Sequence, residues 1–457
     1  MVSEFIKNKH LANRAGFGMS LQQIAAFEQQ PVTDTWQMYA RSGDFTPISF
    51  VTAQTDVGYS DLSMMNAESK KQVQQLNRKR NIATNLNFLN TMVHADDQLR
   101  EKMAFFWHGH FACRVVNANF SAHLLNEIRK NALGNFRDLL LAVSKAPAML
   151  NFLNNQQNKK GHPNENFARE VMELFTMGPG NYTESDVREA ARAFTGWSFD
   201  KDAQFVVRRK FHDMGTKKFL GKTGNFDGNA VLDIILEQPA TAKFITRKLY
   251  RFLVNEQAND AIVTALSKDF YDSGYDIKQL LERIFTASWF YDPINIGNKI
   301  KSPIELMVGI MRTLPMEIAS PENLIVYQKL LGQMLLYPPN VAGWPSGKAW
   351  IDSSTLLLRM QVPQIWAGMR PLDLDPQNDD DLDMGLKQSR QLYKTFKNPQ
   401  ITIDWAQVEK AFSNRDPFQL LLQQQPSFTK KLLEKYAGSD KRMAIIETMC
   451  IPEYQLC

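Results

Sequence analysis

The sequence has little cysteine and no long apolar run. Its only cysteines are Cys113, Cys450 and Cys457, an odd number that argues against a disulfide framework. No stretch of about 18 consecutive apolar residues occurs, so no membrane span is predicted. The N-terminal stretch MVSEFIKNKHLANRAGFG lacks the apolar centre of a secretory signal. As written, the chain is therefore predicted to be cytoplasmic, with export left open.

The sequence also lacks a strong excess of charge of either sign. It has 53 basic and 48 acidic residues, which gives a net charge of +5. These charges are spread along the chain without a dominant basic block, so nucleic-acid binding is not predicted. Hydrophobic residues make up 44% and charged residues 22% of the chain, which is typical of a globular protein with a large core.

Helical periodicity dominates what is present, as in the long pattern from Ala67 to His94. The clearest exception is Trp197-Ser198-Phe199 with residues 204–212, which is typical of a short β-hairpin. The predicted fold is therefore mainly α, a single large multi-helical domain with a small β-hairpin insertion near residues 198–212.

Composition also suggests domain boundaries. Residues 1–370 are predicted to form the main helical domain. The acidic, loop-like residues 371–401 are predicted to be a linker. Helices in residues 402–457 are then predicted to pack back on the main domain.

The stretch NENFAREVMELFTMGPGNYTESDVREAARAFTGWSF, residues 164–199, is the centre of the prediction. Its first part predicts a helix on which Asn166, Glu170 and Glu173 lie together beside an apolar stripe. Glycine and proline end this helix, and Thr183 has N-cap spacing to begin a second one. Two carboxylates are therefore expected at the edge of the core.

On the second helix, Arg188 and Arg192 lie one turn apart. The intervening turn is short, so the helices should be neighbours, and the arginines could approach Glu170 and Glu173. Two interpretations remain open. The cluster is either an ion-pair network that docks the helices, or the lining of a cleft for proton transfer and anion binding.

Two histidine motifs offer further candidates. In His108-Gly109-His110 the imidazoles point about 200° apart on a regular helix, so both bind one metal only if Gly109 ends or distorts the helix. Two alternatives remain open for these histidines. They either donate hydrogen bonds at a helix end or belong to an aromatic core, or one of them is a metal ligand or general acid or base that faces Glu170. His212-Asp213 either contributes to a divalent metal or proton-transfer site or caps a turn.

The stretch YPPNVAGWPSGKAW, residues 337–350, is the second unusual segment. Its prolines predict a rigid, packed loop. Trp344 and Trp350, with Asn340 nearby, are either hydrophobic plugs or a stacking platform for a carbohydrate-like ligand.

Several of these motifs, with FWHGHF, HDMGTKKFLGKTGNFDG, KFITRKLYRFLV, SGYDIKQLLERIF and the closing PEYQL, resemble the bacterial family known as domain of unknown function 1800. The resemblance runs from about His10 to the C-terminus. It implies a bacterial protein, often exported, and a sulfatase-like protein as a partner. It implies no activity and no catalytic residue.

The leading functional hypothesis is a hydrolase that acts on a polar or carbohydrate-like substrate in a cleft. The residues assigned to catalysis are Glu170, Glu173, His108, His110, Arg188 and Arg192. The residues assigned to substrate binding are Asn166, Asn340, Trp344 and Trp350. A divalent metal at His212 and Asp213 is the cofactor considered. The alternative is a non-enzymatic helical binding or scaffold protein that partners the sulfatase-like protein.

Overall fold

The computed structural model describes residues 2–41, 43–49, 65–372, 397–424 and 440–457. The protein is mainly α-helical, as the sequence predicts. The helices of its first half are α1 (Glu4–Ala15), α2 (Ile24–Phe27), α3 (Val32–Ala40), α4 (Ala67–His94), α5 (Gln98–His110), α6 (Ala118–Asn131), α7 (Phe136–Lys145), α8 (Pro147–Phe152), α9 (Asn166–Glu170) and α10 (Glu184–Ala193).

The second half continues with helices of similar length. They are α11 (Gly228–Leu236), α12 (Pro239–Leu253), α13 (Asp260–Asp272), α14 (Ile277–Phe285), α15 (Pro303–Thr313), α16 (Asn323–Leu330), α17 (Ser353–Trp366), α18 (Trp405–Phe412), α19 (Pro417–Leu421) and α20 (Lys441–Met449). Among the described residues, none of these helices has both the length and the apolar content that crossing a membrane requires.

The described strands form three antiparallel pairs. The predicted hairpin is present as β1 (Trp197–Phe199) and β2 (Phe205–Val207), with Ser198 opposite Val206. Residues 209–211, which the hairpin prediction included, form a short 3-10 turn instead. Sequence periodicity missed the other two pairs, because one has too few apolar residues to indicate strands and the other joins segments far apart in the chain. They are β3 (Lys217–Phe219) with β4 (Lys222–Gly224), and β5 (Met316–Ile318) with β6 (Ile401–Ile403).

The C-terminal segments contact the rest of the protein through polar bonds. Arg415 binds Glu28 through two 2.8 Å contacts, and Lys9 donates to the carbonyl of Leu422 at 2.6 Å. Ile300 forms an antiparallel bridge with Leu456. Most of the predicted linker lies outside the described residues, so the predicted domain boundaries stay a prediction.

Helix α5 is buried along almost its whole length, and buried ion pairs hold its N-terminal half. Arg129 of α6 binds Glu101 through two contacts of 2.7 and 2.8 Å, and both side chains are buried. The next residue, Lys102, lies 2.5 Å from the carboxylate of Glu305 at the start of α15. Breaking either pair would leave an uncompensated buried charge, so both pairs hold the N-terminal half of α5 in place. Because the helix is continuous, they also fix the position of its C-terminal end.

Candidate functional site

A cavity of about 230 Å³ lies where the C-terminal end of α5 meets α12, the start of α15 and the loop of residues 337–351. Pockets for small molecules are usually roughly 300–1,000 Å³, so this one suits a molecule of about one sugar ring. The side chains that give it chemical character are His110, Lys248, Arg251, Glu256, Lys299, Glu305, Trp344 and Trp350.

His108 and His110 point to different partners because α5 continues through Gly109 to His110. The Nε2 atom of His108 accepts a hydrogen bond from the backbone amide of Leu336 at 3.1 Å. The Nε2 atom of His110 donates to the carbonyl of Phe175 at 3.0 Å. The helix is not ended or distorted at Gly109, so the condition for a shared metal is not met. Of the two histidines, only His110 lines the cavity.

A π-helical turn holds the side chains of His110 and Lys248 in place. Residues Val171–Thr176 form a π-helix at the end of α9, where the sequence predicted a regular helix. The carbonyl of Phe175 at its C-terminal end accepts from His110, and the carbonyl of Leu174 accepts from Lys248 at 3.4 Å. Wide turns of this kind are frequent at functional sites. The central stretch therefore supports the cavity through its backbone.

Burial sets the charge states of His110 and Lys248. Burial, followed by the nearby charge of Lys248, holds the pKa of His110 well below its usual range, so its ring is neutral. Its Nδ1 atom is buried and has no hydrogen-bond partner among the residues that the structure describes. Burial lowers the pKa of Lys248 to about 8. Lys248 therefore remains mostly protonated at pH 7 but titrates close to it.

The tryptophan loop packs directly on α5. Gly343 has a φ of +87°, and a Cβ atom added there would lie 2.4 Å from the backbone oxygen of Gly109. Only glycine allows that approach. It places the ring of Trp344 beside α5, with its centroid 5.4 Å from that of His108. Trp350 is buried, and both tryptophans line the cavity, while their predicted role in substrate binding stays a prediction.

Three charged groups of the cavity, Glu256, Arg251 and Lys248, form no ion pair with a described residue, although the Lys248 ammonium lies 5.1 Å from the centroid of the Phe244 ring. Glu256 and Arg251 make no hydrogen bond or ion pair with a described residue. Lys248 is half-buried, and its only described polar contact is the 3.4 Å bond to Leu174. Lys248 and Glu256 are partly buried, whereas Arg251 is exposed. Burying a charged group without an ion-pair partner is unfavourable, so Lys248 and Glu256 are candidates for ligand binding.

Glu305 has the opposite environment. Its Oε1 atom accepts from Lys102 at 2.5 Å and from Lys299 at 2.7 Å, and its Oε2 atom accepts from the amide of Ser302 at 2.8 Å. Burial alone raises the pKa of Glu305, but the two ammonium groups outweigh it and hold that pKa well below its usual range. Glu305 is therefore a fixed negative charge at the wall of the cavity.

The glutamates and arginines predicted to meet do not pair with each other. Glu173 accepts from the hydroxyl of Tyr182 at 2.9 Å. Burial, followed by the charge of Glu173, raises the pKa of Glu170. Arg192 instead binds Asp213 and Glu189, each at 2.8 Å, and Arg188 is exposed. None of the four predicted residues lines the cavity.

Two local features explain why the predicted glutamates and arginines do not pair. A π-helix has more residues per turn than the 3.6 of an α-helix, so Glu173 does not stay on the face that regular spacing predicts. Arg192 is drawn away by Asp213, which lies on a loop that periodicity could not place. The hydrogen bond from Arg192 holds the pKa of Asp213 below its usual range.

The remaining predicted residues are also outside the cavity. The Nδ1 atom of His212 lies 2.8 Å from the carbonyl of Thr195, so His212-Asp213 has local partners on both side chains. No group of three potential metal ligands occurs among the residues that the structure describes. Asn166 is exposed and donates to Leu153 at 3.3 Å. Asn340 lines another cavity, of about 340 Å³.

Sequence reasoning missed the residues that α12 contributes. Lys248 and Arg251 lie in KFITRKLYRFLV, where an ordinary amphipathic helix was predicted, and Glu256 follows that helix directly. Positions three apart share one helix face, so the Lys248 and Arg251 pair was the available signal. Surface helices commonly have such pairs, which is why the signal is weak.

The fold and the cavity define a mainly α-helical protein with a polar, tryptophan-walled pocket. A family model described as protein of unknown function (DUF1800) matches residues 10–456 of the 457-residue chain. The chain therefore belongs to the DUF1800 family, as its motifs predicted. No curated protein and no solved structure matches it.

Proposed function

We propose that the protein is a hydrolase that acts on a small, polar, carbohydrate-like substrate in the cavity between α5, α12 and the tryptophan loop. The observation that supports this most is the carboxylate of Glu256, which forms no hydrogen bond or ion pair with a described residue and lies in a cavity walled by Trp344 and Trp350. Tryptophan rings stack on the apolar faces of sugars, while polar groups around them bind hydroxyls.

Two carboxylates in different environments support the choice of reaction. Glycoside hydrolysis adds water across a C–O bond and generally uses one carboxyl group that exchanges a proton and one carboxylate that stays ionised. Glu305 is held ionised by Lys102 and Lys299, whereas Glu256 has no cation bound to it. We therefore assign proton transfer to Glu256 and charge stabilisation to Glu305.

His110 is assigned to substrate positioning. A buried acceptor without a donor costs about 1–3 kcal/mol, and the Nδ1 atom of His110 is such an acceptor. Because this atom has almost no accessible surface, a substrate hydroxyl would recover that free energy only if the lining around His110 shifts when the substrate binds. Because its Nε2–H is bound to Phe175, the ring presents Nδ1 only as an acceptor.

The test compares wild-type protein with Glu256→Gln in a panel of nitrophenyl glycosides, with nitrophenol release as the readout. A general acid or base contributes roughly 10²–10⁴-fold, so Glu256→Gln is expected to lose at least about 100-fold in kcat while still binding the sugar. Glu282→Gln, an exposed glutamate of α14 that does not line this cavity, is the matched control and should keep full activity. Equal activity of all three proteins contradicts the proposal.

The alternative function is a non-enzymatic binding or scaffold protein. The ion pairs of the central stretch favour it, because Arg169–Glu184 and Arg192–Asp213 link neighbouring segments and are partly exposed. Under this alternative the sulfatase-like partner implied by the family resemblance stays a prediction. Co-purification of that partner with wild-type protein but not with Arg169→Met, together with no hydrolysis of any glycoside, would favour the alternative.

A further inference from the structure

The charged residues around the cavity are not balanced. Among the described residues that line it, Lys248, Arg251 and Lys299 are basic, while Glu256 and Glu305 are acidic. Lys102 and Lys299 share the single carboxylate of Glu305 and lie against aromatic rings, with Lys299 4.4 Å from the centroid of Phe252. Glu305 is therefore fully engaged by these two lysines, and the lining has one more basic than acidic residue.

The excess extends along α12 to the rim. Lys248 and Arg251 are three residues apart, so their side chains are neighbours on one helix face, and both line the cavity. Neither forms an ion pair with a described carboxylate. A half-buried ammonium with no counter-ion and an adjacent guanidinium form a binding site for an oxyanion, because a guanidinium can donate two parallel hydrogen bonds to it.

We propose that the substrate of this cavity is an acidic sugar, whose carboxylate or phosphate binds Lys248 and Arg251 while its ring lies between Trp344 and Trp350. This inference rests on the proposed function, since it specifies which carbohydrate-like molecule the cavity accepts. Carboxylate and phosphate share the chemistry that a lysine and an arginine recognise.

The positions of Lys248 and Arg251 agree with the proposed orientation of the acidic sugar. Lys248 lies at the wall beside His110, and Arg251 is the more exposed of the two basic residues. An anionic group at the mouth would meet Arg251 first and Lys248 deeper in. The neutral ring of the sugar is then left for the tryptophans and for Glu256.

The test measures binding of glucose, glucuronate and glucose 6-phosphate by calorimetry at low ionic strength. A hydrogen bond to a charged group contributes enough that at least one of the acids is expected to bind wild-type protein about tenfold or more tightly than glucose. Lys248→Met and Arg251→Met should each remove most of that preference. Lys243→Met, an exposed lysine of the same helix that does not line the cavity, should keep it.

The outcomes separate the two proposals. If glucose binds wild-type protein as tightly as both acids, or if the preference survives in Lys248→Met and Arg251→Met, the oxyanion site is refuted while the proposed function stands. If none of the three sugars binds wild-type protein, the proposed function fails and this inference fails with it. The ratio of the affinities for glucuronate and glucose 6-phosphate shows which anion is preferred.

Discussion

The contact between the tryptophan loop and α5 allows a quantitative prediction. Gly343 and Gly332 both have a φ of +87°, but their surroundings differ. A Cβ atom at Gly343 would lie 2.4 Å from the oxygen of Gly109, whereas one at Gly332 would have nothing within 4 Å. Replacing each glycine by alanine therefore separates backbone strain from steric overlap.

The surroundings of the two glycines determine how much free energy each substitution is expected to cost. A left-handed backbone costs a residue with a Cβ about 1–2 kcal/mol, and Gly332→Ala should show only this cost. Gly343→Ala should show the same cost plus about 1–3 kcal/mol of overpacking, because the overlapping atom belongs to the backbone of a buried helix. The loop, with Trp344, is then expected to move off α5.

Hydrogen exchange of the amides in residues 337–351 measures the opening of the loop. Gly343→Ala should raise their exchange rates about tenfold for each 1.4 kcal/mol of overpacking, and it should weaken sugar binding in the cavity. Gly332→Ala should leave both unchanged. If the two variants have the same exchange rates in the loop and the same affinity, the close packing of Gly343 on Gly109 does not position the cavity wall.

Three further predictions follow from individual contacts. Arg129→Met should lower the free energy of unfolding by about 3–5 kcal/mol, because it leaves buried Glu101 without its partner, while Arg137→Met at the exposed pair with Asp233 should stay within about 1 kcal/mol in the same denaturation assay. Because the pKa of Lys248 is lowered to about 8, its protonated fraction falls as pH rises, so glucuronate affinity should drop roughly tenfold between pH 7 and pH 9. Lys248→Arg should remove that drop, because a guanidinium stays protonated over this pH range, and persistence of the drop in this variant would contradict its assignment to Lys248. Burial raises the pKa of Cys113, and it raises that of Cys450 to about 12, so iodoacetamide at pH 8 should label both far more slowly than an unfolded control.

Local features of the fold could be predicted because local chemistry determines them. Helix α4 has the bounds Ala67–His94 that its periodic pattern predicted. Thr183 and Asp186 form the expected capping box at the start of α10. Both depend on contacts between residues a few positions apart, which a sequence shows directly.

The site was predicted only in part because contacts distant in sequence form it. Trp344 and Trp350 were recognised from an unusual local composition. In contrast, the approach of Gly343 to Gly109 joins segments far apart in the chain, and no periodic pattern reports it. The π-helical turn also left no local signal, although it determines where Glu173 lies and which carbonyl His110 binds.

The central claim is that a carbohydrate-like molecule binds between α5, α12 and the tryptophan loop. Hydrogen exchange of the whole protein, measured with and without saturating glucuronate, tests it most directly because it reports the location of binding without any variant. The expected result is slower exchange in residues 105–110, 248–256 and 337–351, with the rest unchanged. Slower exchange confined to other segments, or none at all, would contradict the claim.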